Sequence, residues 1–459
     1  MTQILNSFAQ HMIFWAAWII IPLVIEIIPA LGGFIILIKK RLFSKSEEKL
    51  EIYPEITLII PVYNSADTLE GCLESVFNSD YPKAKIDIML VNNMSRDNSF
   101  EVFCRCQEKF PELSMQWLNA RQGKSKALNL ALFNSRGKYI IHIDSDGKLV
   151  SSALKNMAEK FERNPNIHCL TGVVLTDPQQ IEQTESFPMR LFRRCEFLEY
   201  CQAFLAGRNF ESELDSIYTL SGAFSAFRKS VILKTRLYNT DTVCEDTHVT
   251  FQVRKLLKKS VHLCEDALFF VDPIENTGKL YTQRQRWQVG ELEGSHMFLK
   301  KEMRSHNGFF SNFLIRTLIF DHTFAFPRMI WYFALICLAM LNYPFSLIVG
   351  SVLVLYLLYV ISGALFYLNI ISYLKKFTSI RRYYIRKIYL LPLMPLYNFY
   401  IFWIRFAGII NSITLRSGWK TSSFLEERQR FCKVIRNDFA PISRLVSRLK
   451  RLVNTDGQK

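Results

Sequence analysis

Apolar residues crowd the two ends of this 459-residue chain and leave between them a stretch where short apolar runs alternate with helical ones. The run at 12–38 is long enough to cross a bilayer, which takes about 20 residues. Pro22, Glu26 and Pro29 interrupt it. It has no basic segment before it and no small-residue cleavage site, so it reads as an anchor and not as a cleaved signal. Met1–Gln10 carries no Lys or Arg, whereas Lys39, Lys40, Arg41 and Lys45 follow the run. The positive-inside rule then places residues 39 onward in the cytoplasm.

The C-terminal third returns to apolar runs at 323–342 and 345–371, parted by Asn342-Tyr343-Pro344. A basic block (Lys375, Lys376, Arg381, Arg382, Arg386, Lys387) comes next, then a run at 388–413 that holds Pro392, Pro395 and Arg405. In the tail, Ile442, Leu445, Val446, Leu449 and Val453 share one helical face among Arg444, Arg448, Lys450 and Arg451. That pattern suits a helix lying on anionic membrane lipids. Counting spans puts the tail outside the cell and the charge rule puts it inside, so its side stays open. The formal charge of +16 fits a nucleic acid or an anionic membrane surface. The chain shows no nucleic-acid module, and its basic residues crowd beside the apolar spans, which favours the membrane. The ten cysteines are scattered, and Cys104-x-Cys106 lacks a second pair at zinc spacing. Free thiols in a reducing cytosol are expected.

The middle of the chain is a different material. Strands are expected at Ile56–Val62, Ile86–Val91, Met115–Leu118 and Tyr139–Ile143, with helices at Leu69–Phe77, Phe100–Phe110 and Lys124–Phe133. This rhythm predicts an α/β domain with a mostly parallel sheet and helices on both faces, inserted between transmembrane helices. The expected organisation is a membrane anchor over 1–45, a cytoplasmic domain over 46–300, interfacial and transmembrane helices over 301–415, and a basic amphipathic tail over 416–459.

Asp144-Ser145-Asp146 ends the strand Tyr139–Ile143. Two carboxylates at i and i+2 leave a strand on one face. They repel unless neutralised, and a hard divalent cation carrying phosphate oxygens is the natural partner. The strand-end position is also where open α/β sheets bind ligands, although a solvated turn explains the tripeptide alone. Pro61-Val-Tyr63-Asn64 and Asn92-Asn93, the latter within Val91–Asp97, end the first two strands. Amides there suit a nucleobase edge or a ribose, while Asp97 reads as a cap on the next helix. Gln122-Gly123-Lys124 lacks the first glycine of a phosphate loop, yet Lys124 at a helix start could reach a diphosphate. Cys244-Glu245-Asp246 precedes a helix and reads either as an acidic cap or as a general base. Gln283-Arg284-Gln285-Arg286-Trp287 could clamp a pyrophosphate and stack a sugar ring, or form an interfacial belt.

Taken in order, these residues resemble the membrane-embedded family 2 glycosyltransferases, which include cellulose, hyaluronan and poly-N-acetylglucosamine synthases. The resemblance runs over essentially the whole chain. The anchor and the length are most similar to bacterial poly-N-acetylglucosamine synthase-like enzymes, and they also resemble exosortase-associated transferases of Gram-positive bacteria. It implies a GT-A fold and an inverting transfer from a nucleotide-diphosphate sugar, usually UDP-linked (UDP-GlcNAc or UDP-Glc), to a growing cell-surface polysaccharide. It implies Asp144 and Asp146 as the anchor of the diphosphate and its Mg²⁺ or Mn²⁺, and Asp246 as the base. It also implies a lysine near the phosphates at Lys124, and a clamp on diphosphate and acceptor formed by Gln283, Arg284, Arg286 and Trp287 beside Glu245. Pro61, Tyr63, Asn64, Asn92 and Asn93 fall where the family meets the nucleotide sugar. The family often has an Asp pair where this chain has Asn92-Asn93; an amide can pair with uracil but brings no charge. The expected setting is the plasma membrane, multi-pass, with a polysaccharide or lipid-linked acceptor and with accessory membrane subunits among the candidate partners. The competing readings are a non-processive transferase that adds one sugar to a membrane acceptor, and a non-catalytic membrane scaffold.

Overall fold

The computed structural model describes residues 20, 23, 27–42, 50, 52–242, 244–304, 325–341 and 344–414. Among these, an eight-stranded sheet runs in the order β3-β2-β1-β4-β7-β6-β8-β5. The strands are β1 (Ile56–Val62), β2 (Ile86–Asn92), β3 (Ser114–Asn119), β4 (Tyr139–Ile143), β5 (Gly147–Leu149), β6 (Cys169–Thr176), β7 (Phe224–Arg228) and β8 (Val261–Val271). β1 lies parallel to both β2 and β4, and β2 to β3. β7 runs antiparallel to β4 and β6, β8 is parallel to β6, and β5 closes the far edge antiparallel to β8. The sheet is therefore mixed, with six strands pointing one way. The expected strands at 56–62, 86–91, 115–118 and 139–143 all appear within a residue or so of their predicted ends. The second half of the sheet, in which β6–β8 is parallel and the other pairings antiparallel, has no counterpart among the expected strands.

The chain lays β2 and β3 on one side of β1 and then returns to the other side for β4. That reversal opens a crevice at the C-terminal ends of β1 and β4, where open α/β sheets bind ligands. Every residue of β4 and β6 is buried, as expected for strands covered on both faces. The flanking helices are α1 (Ile28–Leu42), α2 (Leu69–Phe77), α3 (Ser99–Lys109), α4 (Lys124–Asn134), α5 (Ala153–Arg163), α6 (Phe187–Tyr200), α7 (Arg208–Glu213), α8 (Glu245–Phe251) and α9 (Thr277–Arg304). On α5, Phe161 stacks on Tyr139 of β4 with ring centroids 4.5 Å apart, under the Arg228 guanidinium.

Three long helices follow, α10 (Ala325–Met340), α11 (Phe345–Tyr373) and α12 (Met394–Thr414), with a short helix at Thr378–Ile385 between the last two. Among the described residues, two helical segments are long and apolar enough to cross a membrane, Phe345–Lys376 with mean hydropathy 2.3 and Ile388–Ala407 with 1.2. The expected span at 323–342 includes α10, and its residues 323, 324 and 342 are outside the described ones, as are residues 305–322 and 343. Residues 12–19, 21, 22 and 24–26 of the expected N-terminal span and the whole amphipathic tail lie outside the described residues. α1 packs on α11, where the Asn369 amide donates to the Ala30 carbonyl at 3.0 Å. The basic ends of these helices land on carboxylates of the α/β domain. Lys40 meets Glu265 at 3.0 Å and Glu213 at 3.2 Å, Lys376 meets Asp266 at 2.6 Å, and Lys387 meets Glu182 at 2.8 Å.

Phe161→Ala is expected to cost about 3–5 kcal/mol through the cavity it leaves. Thermal unfolding of the full chain in detergent checks this, and an unchanged midpoint would count against the packing of α5 on β4.

Candidate active site

A cavity of about 370 Å³ opens at the C-terminal ends of β4 and β8. Its wall includes Lys124, Asp144, Asp146, Glu245, Asp246, Arg286 and Trp287, residues widely separated in sequence. Gly123 starts this assembly. Its φ of +129° lies in the region that favours glycine, and its N–H donates to Asn93 Oδ1 at 2.5 Å. The loop after β2 thereby fixes the start of α4 and the position of Lys124.

The Lys124 ammonium sits 2.5 Å from Asp144 Oδ1 and 3.5 Å from Glu245 Oε1, and it donates to the Gly222 carbonyl at 3.1 Å. Burial opposes its charge, but Asp144 and Glu245 outweigh burial and raise its pKa. Asp144 is placed by its own N–H, which donates to the Ala223 carbonyl as β7 begins beside β4. Gly222, whose carbonyl accepts from Lys124, donates its N–H to Asp246 Oδ2 at 3.0 Å. Asp246 Oδ1 accepts from Thr247 N at 2.7 Å. Two backbone donors thus orient this carboxylate, while burial and the Glu245 charge push its pKa up to about 6.

Asp146 is exposed at the cavity. Desolvation by the surrounding protein and the Asp144 charge push its carboxyl up to about 6. Among the described residues no group of three or more His, Cys, Asp or Glu could hold a metal unaided. Two strand-end carboxylates with unmet negative charge fit a hard cation that completes its shell with ligand oxygens.

The Gln283–Trp287 segment lies on α9, and its two arginines behave differently. Arg284 is 2% exposed, places Nη2 2.7 Å from Glu199 Oε2, and lies over the Trp287 ring at 4.5 Å. Glu199 also accepts from the Tyr397 hydroxyl of α12 at 2.8 Å. Arg286 is exposed. Trp287 joins Tyr200 and Phe204 in an aromatic wall, with centroids 6.3 and 6.0 Å away, and Gln283 and Arg405 also face the cavity.

The amides at the first two strand ends stand outside this cavity lining. Asn92 Nδ2 donates to Asn119 Oδ1 at 3.0 Å and its Oδ1 accepts from Ser95 N at 2.9 Å. Asn64 Oδ1 accepts from Arg96 N at 2.9 Å. Pro61 is half-buried in β1 and Tyr63 is exposed beyond it. Asp97 accepts from Ser99 N and Ala66 N, as a helix cap and loop staple.

Sequence reasoning missed the stretch from Glu199 to Ala223, which supplies much of the cavity wall. It includes a π-helical turn at Cys201–Gly207, a feature frequent at functional sites. Arg208 is buried there and donates to Thr171 and Ser221 hydroxyls. The legible signal was the small-residue run Ser221-Gly222-Ala223 just before a strand.

Residues 57–235 match the family described as Glycosyl transferase family 2. The chain carries a family 2 glycosyltransferase domain. The chain is 26% identical over 259 residues to the poly-beta-1,6-N-acetyl-D-glucosamine synthase of Staphylococcus epidermidis, covering 56% of this chain and 60% of that protein. It is 25% identical over 260 residues to the same-named synthase of Staphylococcus aureus, covering 56% and 59%. The chain thus spans about three fifths of the curated relatives it matches. Among solved structures, it is similar to the mannosyltransferase PcManGT from Pyrobaculum calidifontis in complex with GDP-Man and Mn²⁺. The TM-score is 0.54 at 19% identity, over 78% of this chain and 97% of that one. The fold of the family 2 domain is that of the GT-A glycosyltransferases.

The two arginines give a test. Arg284→Met breaks a buried ion pair and is expected to cost about 3–5 kcal/mol of stability. Arg286→Met is expected to leave the unfolding midpoint unchanged. Both arginines line the cavity, and equal losses in thermal unfolding would contradict the division between a buried, ion-paired arginine and an exposed one.

Proposed function

We propose that this protein is an inverting glycosyltransferase. It moves a sugar from a nucleotide-diphosphate sugar, UDP-linked as in UDP-GlcNAc or UDP-Glc, to a growing cell-surface polysaccharide at the plasma membrane. The observation that carries this reading is the backbone of Gly222, whose carbonyl accepts from Lys124 and whose N–H donates to Asp246. It joins a cation suited to a diphosphate to a carboxylate suited to a base within one cavity. The poly-N-acetylglucosamine synthases named above support the polysaccharide acceptor, and the two apolar segments support the membrane setting.

The roles follow from charge. Lys124 stabilises the negative charge that builds on the departing diphosphate, and exposed Arg286 adds a second cation. Mg²⁺ or Mn²⁺ held by Asp144 and Asp146, when bound, supplies further neutralisation of that diphosphate. Asp246 accepts the proton of the acceptor hydroxyl. The hydroxyl oxygen bonds to the anomeric carbon as the bond to the diphosphate breaks on the opposite face, so the configuration inverts. Trp287, with Tyr200 and Phe204, offers a stacking wall for a sugar ring. Asn92 and Asn93 act on the nucleotide through the loops they hold, with Tyr63 and Asn64 at the same rim.

The test is a panel of UDP-sugars with Mg²⁺ or Mn²⁺ and the full-length protein in nanodiscs, reading released UDP and product length. Polymer is the expected product; addition of a single sugar would favour a membrane acceptor instead. Asp246→Asn is expected to abolish transfer while nucleotide binding survives, and equal loss of both would sink the base role. A base must be deprotonated to act, and this one has a raised pKa. kcat should therefore hold above about pH 6 and fall below it. A flat profile down to pH 5 would argue against Asp246.

A further inference from the structure

Cys244 occupies the position immediately before Glu245-Asp246 and is 8% exposed. Its Sγ lies 3.3 Å from the Arg286 carbonyl, to which it donates. Burial raises the thiol pKa well above its ordinary value, which keeps the donor protonated. The sulfur fills the space over Gly290, one helical turn beyond Arg286 on α9. A methyl placed on Gly290 would stand 2.3 Å from Cys244 Sγ and 2.5 Å from its Cβ.

Neighbouring contacts continue along the same face of α9. Thr242 Oγ1 donates to Glu293 Oε2 at 3.2 Å, and a methyl on Gly294 would meet Thr247 Cγ2 at 3.1 Å. Positions 286, 290, 293 and 294 form one stripe of a helix, and the turn carrying Asp246 is seated along it. Two of the four are glycines, which lets the backbones approach closely.

We propose that the Cys244–Gly290 contact is the spacer that fixes the separation between Asp246 and the Arg286–Trp287 pair, which makes Cys244 a positioning residue of the transfer. This rests on the assignment of Asp246 as base. The two elements carry opposite ends of the chemistry: a carboxylate that takes the acceptor proton, and a cation and ring that face the donor and the sugar. A displacement of about 1 Å between such groups is enough to cost about 100-fold in rate.

The experiment uses the full chain in nanodiscs with UDP-GlcNAc and Mg²⁺. Gly290→Ala is expected to lower kcat about tenfold or more while KM for the nucleotide sugar stays within about twofold. Adding Cys244→Gly removes both Sγ and Cβ, the two atoms that the new methyl would meet, so the double variant is expected to recover most of the lost kcat. A double variant as slow as Gly290→Ala alone overturns the proposal, and so does Gly290→Ala with parental kcat. Asp246→Asn, measured alongside, separates the two readings. Parental turnover in Asp246→Asn overturns the base assignment and the spacer with it. An inactive Asp246→Asn together with an unrescued double variant overturns the spacer alone.

Discussion

The Lys124 ammonium is the interaction on which the site depends. It is the cation that draws Asp144 from the end of β4 and Glu245 from the start of α8 into one cavity. Without it, three carboxylates (Asp144, Glu245, Asp246) would face each other with little solvent between them, and like charges in that setting drive protonation or expansion. With it, the rise that burial and the Glu245 charge impose on the Asp246 carboxyl is partly offset, and its pKa stays at about 6. The position of Lys124 is in turn set by a left-handed glycine and the side chain of Asn93. The amide that replaces the family's frequent carboxylate at the second strand end therefore has a structural role visible in this fold. It caps the turn that delivers the lysine.

The cavity also belongs to the helices beyond the sheet. Arg405 of α12 lines it, and Tyr397 of the same helix reaches Glu199, the partner of buried Arg284. Lys40, Lys376 and Lys387 each meet a carboxylate of the α/β domain. These basic residues, which the sequence suggests for lipid, are engaged with protein in part. Exposed ion pairs contribute little singly; of these three, the Lys387–Glu182 pair has a buried lysine, and all three join the α/β domain to the apolar helices.

The first half of the sheet was legible because parallel strands buried on both faces read as continuous apolar runs, and their connecting helices are local. Asp144, Asp146, Lys124 and Asp246 were legible because strand ends and helix starts of an α/β domain converge on one edge. The second half was not, since β5 has only three residues and β7 pairs with β4 across more than eighty positions. Arg284 and Arg286 could not be told apart from their spacing. Residues two apart on a helix face nearly opposite sides, and which side is buried depends on Glu199 and Tyr397, both far away in sequence. The Asn92 and Asn93 side-chain oxygens accept from Ser95 N and Gly123 N, which the letters alone do not show, because an exposed amide and one tied to a backbone look the same there. The Glu199–Ala223 wall carries no motif at all, and only the folded chain shows that it closes the cavity.

The most direct measurement is the affinity of UDP with Mg²⁺ for the full-length protein, by titration calorimetry, in the parent and in Lys124→Met. A hydrogen bond to a charged group is worth about 1.5–3 kcal/mol. The account therefore predicts that Lys124→Met binds UDP about tenfold or more weakly while remaining folded. Equal affinity in the two proteins would contradict the reading of this cavity as a nucleotide-diphosphate site organised around Lys124.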